Sequence, residues 1–111
     1  MLKEIYEQPA VIAATLSKFV HPSKGRINIP DDVLEAITSA PRLTLVACGT
    51  AFYACMIAKY WFEQVARIPC EIDVASEFRY REAPMPEGSL SIFVSQSGET
   101  LDTLEALRYV K

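Results

Sequence analysis

Short apolar runs alternate with longer amphipathic segments in the second half of the chain. The runs LTLVA (43–47) and LSIFV (90–94) are apolar at four of five positions, and CEIDVA (70–75) carries two acidic residues. Their length and their branched side chains predict strands. The segment 51–67 has no glycine or proline, and 100–111 has three leucines spaced three residues apart, so both segments predict helices.

The order of these elements indicates the fold class. With a short helix expected at 76–82, strand and helix alternate three times, which predicts an α/β protein with a doubly wound parallel sheet. LTLVA and LSIFV are expected at the centre of the sheet, because strands buried on both faces lack polar alternation. Such sheets usually have about five or six strands. We therefore interpret these three strands as part of an incomplete, flavodoxin-like domain.

A helical N-terminal segment precedes the sheet. Residues 2–19 predict a helix with one apolar side, and Pro9 suits the first position of a helix. Residues 21–32 are rich in turn-forming residues and predict a loop. The predicted organisation is a helical segment over residues 1–41, followed by the α/β segment over residues 42–111.

Composition narrows the classes of function. The net charge of −3, with lysines and arginines scattered singly, offers no basic surface for nucleic acid or for an anionic membrane. No apolar run approaches the roughly 20 residues that cross a bilayer. Cys48, Cys55 and Cys70, with His21 as the only histidine, match neither a zinc site nor a disulfide framework. We expect a cytoplasmic protein with reduced thiols and without a metal, a nucleic-acid partner or a membrane partner.

Two turns follow the two most apolar strands, ACGTAF (47–52) and SQSGET (95–100). In an open parallel sheet, ligands bind beyond the carboxyl ends of the strands, where the strand order reverses. If the order of the three strands along the sheet is 2-1-3, the first and third strands are neighbours. The two turns would then form one site.

SQSGET has the chemistry of a site for a small anion. Gly98 allows a positive φ and a close approach of the backbone, and the N-terminus of the following helix presents unpaired N–H groups. The hydroxyls of Ser95, Ser97 and Thr100 add donors, each worth about 1.5–3 kcal/mol in a hydrogen bond to a charged group. A plain helix cap explains such hydroxyls too, and Thr50 can likewise cap helix 51–67. The residue pattern alone leaves both interpretations open.

Other well-known motifs do not match. A Walker A loop requires a lysine that is missing here, and a dinucleotide-binding turn requires GxGxxG, whereas CGTAFY has one glycine. A nucleophile elbow requires glycine at the position of Ser95, and with His21 alone no catalytic triad can be assembled. Cys48 lacks an identifiable base, so we interpret it as a structural thiol.

Five stretches resemble one enzyme family. They are KEIYEQP (3–9), ACGT (47–50), KYWFE (59–63), RIPCEIDVASEFRYR (67–81) and SQSGETLDTLEALR (95–108). Together they resemble the isomerase portion of glutamine–fructose-6-phosphate aminotransferase, also called glucosamine-6-phosphate synthase. SQSGET alone marks the broader sugar isomerase (SIS) fold, whereas the other stretches are more specific to the aminotransferase.

The resemblance implies a ligand and a set of binding residues. In that family, a glutaminase domain releases ammonia, and two SIS domains convert fructose 6-phosphate to glucosamine 6-phosphate. This chain is similar to the start of the first SIS domain. The resemblance implies that the sugar phosphate is bound by the residues Thr50, Ser95, Gln96, Ser97 and Thr100, with Gly49, Ala51 and Gly98 as further candidates. Ala51 departs from the family's CGTS turn, which removes one hydroxyl.

The resemblance also implies what this chain lacks. The family's catalytic glutamate, lysine and histidine lie later in the polypeptide, and His21 is not that histidine. We therefore expect a fragment that contributes to a substrate site without catalytic residues or a cofactor, and that is inactive by itself. The expected partners are the sugar phosphate, the rest of the isomerase half, the glutaminase domain and a second copy in a homodimer.

Two other functions remain open at this point. One is a non-catalytic SIS module that senses sugar phosphates, as in some transcription regulators, although the net charge of −3 and the missing basic helix disfavour it. The other is a structural segment whose capped turns bind no ligand. The EIYEQP and SEFRYR stretches favour the aminotransferase over both.

Overall fold

The structure is a computed structural model that describes residues 1–110. In it the chain forms two compact units. The first unit is Met1–Glu35, and the second begins at Ala36. The boundary that the sequence predicts between residues 41 and 42 stays a prediction. No helix in the described part of the chain is long and apolar enough to span a membrane.

The first unit contains a long helix and a small hairpin. Helix α1 (Leu2–Phe19) is followed by β1 (Val20–His21) and β2 (Arg26–Ile27), which pair in antiparallel register. The expected position of Pro9 at the start of the helix is wrong, because α1 begins seven residues earlier and Pro9 lies inside it. Proline lacks an N–H group, so one hydrogen bond of the helix is missing there.

The second unit follows the predicted alternation of strands and helices. Helix α2 (Asp31–Ser39) leads into this unit. The elements of the second unit that follow α2 are β3 (Leu43–Ala47), α3 (Gly49–Trp61), a π-helical turn (Phe62–Ala66), β4 (Cys70–Val74), α4 (Ala75–Arg81), β5 (Leu90–Val94) and α5 (Leu101–Val110).

The three strands of the second unit form a parallel sheet in the order β4-β3-β5. This is the order 2-1-3 expected of a flavodoxin-like sheet, so the predicted fold class is confirmed. Leu43 of β3 lies opposite Cys70 of β4 and Leu90 of β5, and the pairing continues in step to the ends of the strands.

The expected central position of LSIFV is wrong for the sheet that residues 1–110 form. β3 pairs on both sides and is buried along its whole length, whereas β5 is an edge strand and all five of its residues are half-buried. An edge strand has one row of backbone groups without a strand partner, and its side chains have neighbours on one flank only. The apolar composition of β5 predicts burial on both faces, and this sheet buries it only in part.

The core lies on both faces of β3. Leu43, Leu45 and Ala47 pack on one face with Cys55 of α3. Val46 packs on the other face, in a buried cluster completed by the residues Ala75, Phe78 and Ala106 of α4 and α5. Alternate residues of a strand point to opposite faces, so β3 holds helices on both sides, as a doubly wound sheet requires.

Candidate functional site

Two turns form one cleft at the carboxyl edge of the sheet. Ala47 and Val94, the last residues of β3 and β5, are partners in the parallel register, so the turns after them begin side by side. The cleft has a volume of about 280 Å³. Its lining includes these predicted residues: Gly49, Thr50, Ala51, Ser95, Gln96, Ser97 and Thr100. The structure thus brings the two turns together, while the binding roles of their residues stay predictions.

The first turn passes directly from strand to helix. Cys48 is extended, Gly49 has a φ of +58°, and α3 begins at Gly49. A positive φ strains residues other than glycine, so this sharp turn depends on Gly49. Thr50 lies within the first turn of α3, and Cys48 occupies the cap position without a side-chain hydrogen bond. The alternative interpretation of Thr50 as a helix cap is therefore wrong.

The second turn is held by its own hydroxyl groups. The Ser95 Oγ accepts a hydrogen bond from the Gly98 N–H at 3.0 Å, and the Ser97 Oγ accepts one from the Glu99 N–H at 3.1 Å. The Ser95 Oγ also lies 3.4 Å from the Thr100 Oγ1. A hydroxyl has one O–H donor besides its acceptor lone pairs. Because the Ser97 Oγ accepts from the backbone, its O–H donor remains able to bind an anion, and Ser95 and Thr100 keep at least one free O–H donor between them.

Gly98 contributes through its backbone conformation. Its φ of +69° is in the left-handed region, and no atom lies within 4 Å of the position where a Cβ would be. Space alone would therefore admit a larger residue, but the conformation favours glycine. Gly98 lets the loop fold back so that its N–H reaches Ser95.

The electrostatics of the cleft come from backbone groups and hydroxyls. Helices α3 and α5 both begin at its turns, and their first N–H groups have no acceptor within their own helix. The positive ends of two helix dipoles therefore lie beside the cleft. None of the described residues that line it carries a charged side chain. This arrangement suits a small anion whose charge is stabilised without lysine or arginine.

Three residues of the lining, Cys48, Val94 and Thr103, are not among the site residues predicted from the sequence. Cys48 and Val94 adjoin predicted residues in the chain, so their strand-end positions could have indicated them. Thr103 is 5% exposed and lies in the first turn of α5. Its spacing of three residues from Thr100 places both on one side of the helix, which is the available signal.

The groups with shifted pKa values lie outside the cleft, in α3, in the π-helical turn and in β4. Burial raises the pKa of the Cys55 and Cys70 thiols. A hydrogen bond from Lys59 lowers the pKa of the Glu63 carboxyl, and a second one from the Cys70 N–H lowers it further. Within residues 1–110, no group of three or more His, Cys, Asp or Glu side chains is arranged to hold a metal ion.

The fold and the cleft are those of a known class of protein, which the comparison with protein families identifies. The model of the SIS domain family matches residues 36–111, and the chain belongs to that family.

The particular relatives are aminotransferases. The chain is 53% identical to the isomerizing glutamine–fructose-6-phosphate aminotransferase of Zymomonas mobilis and 55% identical to one from Bradyrhizobium diazoefficiens. Both alignments cover the whole chain, which spans 18% of the length of each relative.

A solved structure agrees with these relatives. It is the C-terminal domain of glucosamine-fructose-6-phosphate aminotransferase from Francisella tularensis, with a TM-score of 0.84 and 46% identity. The match covers 96% of this chain and 29% of that one. The resemblance inferred from the sequence is therefore confirmed.

Proposed function

We propose that this chain supplies the sugar-phosphate-binding turns of a glutamine–fructose-6-phosphate aminotransferase. The observation that carries the proposal is the cleft in which two helix N-termini and a set of hydroxyl groups converge without a basic side chain. The identity to aminotransferases along the whole chain supports fructose 6-phosphate as the ligand.

The phosphate of the sugar would be held by donors from both turns. Ser95 and Ser97 donate their O–H groups while their oxygens keep accepting from the loop backbone. Thr100 adds a hydroxyl at the start of α5, and Thr50 adds one from the opposite turn. The side-chain amide of Gln96 offers two further donors. Several hydrogen bonds to a charged group, each worth about 1.5–3 kcal/mol, offset the cost of removing the anion from water.

The chain contributes binding to the reaction and leaves the proton transfer to other parts of the enzyme. The whole aminotransferase would convert fructose 6-phosphate and glutamine to glucosamine 6-phosphate and glutamate. The described residues of the cleft include no histidine, lysine or carboxylate, and His21 lies in β1 of the first unit. We therefore propose that the rest of the isomerase half and the glutaminase domain supply the chemistry, in a cytoplasmic homodimer.

The test is the substitution Ser97→Ala in the full-length protein that carries this chain. Losing one hydrogen bond to a charged group weakens fructose 6-phosphate binding by about 1–3 kcal/mol. Isothermal titration calorimetry measures the dissociation constant directly. Ser17→Ala, which removes an exposed hydroxyl from α1, serves as the control and is expected to leave the affinity unchanged. An unchanged affinity for Ser97→Ala would contradict the assignment.

A further inference from the structure

Thr103 is a buried hydroxyl at the base of the phosphate cleft. It is 5% exposed, it lines the cleft, and it lies in the first turn of α5. Ala106, one helical turn further on, is fully buried in the core cluster with Val46 and Phe78. The buried side of α5 therefore runs from the core at Ala106 to the cleft at Thr103.

The Thr103 hydroxyl has no protein partner within the described residues. Its Oγ1 is inaccessible to solvent and makes no hydrogen bond with any group of residues 1–110. A buried polar group without a partner destabilises a fold, and most such groups in proteins are paired. The fold itself gives the Thr103 hydroxyl no hydrogen-bond partner, so its position beside the ligand cleft indicates a role other than stabilising the fold.

Hydroxyls in another helix of this chain behave differently. The Thr15 Oγ1 donates to the Val11 carbonyl at 2.9 Å, and the Ser17 Oγ donates to the Ala13 carbonyl at 2.9 Å. This bond to the preceding turn is the usual local partner of threonine and serine in a helix. Thr103 makes no such bond, although burial removes the competing water that Thr15 and Ser17 have.

We propose that Thr103 is a further ligand-binding residue, whose hydroxyl donates a hydrogen bond to the phosphate of the bound sugar phosphate. The inference rests on the proposed function of the cleft. Rotation about χ1 between staggered positions turns the hydroxyl toward the ligand without moving the helix backbone. Thr103 then adds a hydroxyl from α5 to that of Thr100, the residue directly before the helix, beside the N–H groups of the first turn of α5.

The decisive variant is Thr103→Val in the full-length protein, because valine keeps the branched shape and removes the hydroxyl. We expect its affinity for fructose 6-phosphate to fall about 5- to 30-fold in titration calorimetry. Its affinity for inorganic phosphate should fall by the same factor. Its ligand-free melting temperature should be at least that of the wild type, because an unpaired buried hydroxyl has been removed.

Three further variants separate the effect of the hydroxyl from the effect of its position. Ser91→Ala removes another buried hydroxyl without a partner, from β5 outside the cleft, and should leave both affinities unchanged. Thr103→Ser and Thr103→Ala differ only by the hydroxyl, and both lack the Cγ2 methyl group of threonine. Comparing them therefore tests the hydroxyl again, without the branched side chain. Thr103→Ser should bind within about threefold of the wild type, and Thr103→Ala should weaken binding as Thr103→Val does.

The outcomes separate this inference from the proposed function. Unchanged affinity in Thr103→Val, while Ser97→Ala weakens binding, overturns the role of Thr103 and leaves the cleft assignment standing. A lower melting temperature with unchanged affinity shows a structural role and also overturns the inference. A loss for fructose 6-phosphate but not for inorganic phosphate overturns the contact with the phosphate. Absence of binding by the wild type overturns both proposals.

Discussion

Ala51 lines the cleft immediately after Thr50, in the first turn of α3. The resemblance to the aminotransferases places a serine at this position, so the chain offers one hydroxyl fewer to the ligand. The donors that remain come from Thr50 and from the SQSGET loop. If the cleft binds sugar phosphate as proposed, single hydroxyls should therefore change its affinity measurably, because none of its described lining residues carries a charged side chain.

Restoring that hydroxyl should strengthen binding. Ala51→Ser is expected to raise the affinity for fructose 6-phosphate by about 3- to 10-fold, the effect of one additional hydrogen bond. Calorimetry on the full-length protein measures the change. Ala54→Ser adds a hydroxyl to an exposed position of the same helix outside the cleft and should have no effect. Equal affinities for Ala51→Ser and the wild type would contradict a ligand contact at this position.

The sequence predicts most cleft residues because they are polar residues that directly follow apolar strands. Ser95 and Ser97 belong to this class, and both lie in the cleft. Thr103 could not be predicted in the same way, because its burial depends on how α5 packs on the sheet. Helical spacing places Thr103 beside Thr100, but only the tertiary structure shows that its hydroxyl lacks a partner.

At the scale of elements, the end of α3 is tied to β4 by one lysine and one glutamate. The Lys59 Nζ donates to the Glu63 Oε1 at 2.8 Å and also to the Cys70 carbonyl. The Cys70 N–H donates to the Glu63 Oε1 at 3.3 Å. These contacts connect α3, the π-helical turn and the first residue of β4.

This connection predicts acid sensitivity. The hydrogen bonds keep the folded-state pKa of Glu63 below its ordinary 4.5, so the carboxylate stabilises the fold above pH 4.5. That stabilisation is lost as the pH falls through the folded-state pKa, because protonation removes the charged acceptor. Glu63→Gln should therefore reduce the dependence of the urea midpoint on pH below 4.5.

The control for this prediction is Glu87→Gln, at an exposed loop position. It should leave the dependence of the urea midpoint on pH close to that of the wild type. Identical acid profiles for Glu63→Gln and the wild type would show that the connection contributes no stability to the fold.

The elements were predictable in type and order but less so at their ends. The segment 51–67, without glycine or proline, predicts one continuous helix, whereas α3 ends at Trp61 and continues as a π-helical turn. Arg67 then adopts the left-handed conformation that ends the turn. The contact of Lys59 and Glu63 with β4 accompanies these changes, and local propensity contains no information about such a contact.

At the scale of the molecule, a large apolar surface runs along α3 and the π-helical turn. Tyr53, Ile57, Tyr60, Trp61 and Val65 are each more than half exposed. An apolar cavity of about 490 Å³ lies along the same surface. The outer edge of β5 adds backbone groups without a strand partner in the described sheet. Apolar patches and open strand edges are the surfaces through which chains associate.

The isolated chain of 111 residues should therefore self-associate. Sedimentation velocity is expected to show a sedimentation coefficient that rises with protein concentration. The double variant Trp61→Lys and Val65→Lys places two charges on the apolar surface and should shift the protein toward monomer. A concentration-independent monomer for the unmodified chain would contradict this prediction.

Because Ala47 pairs with Val94, ligand binding in the cleft and the pairing of β3 with β5 are thermodynamically coupled. An anion that contacts both turns can stay bound only while β3 and β5 remain paired. Its binding free energy therefore adds to the stability of the strand pair, in proportion to the logarithm of ligand concentration above the dissociation constant. The pairing of β5 with β3 would thus be most resistant to proteolysis and amide hydrogen exchange when sugar phosphate is abundant.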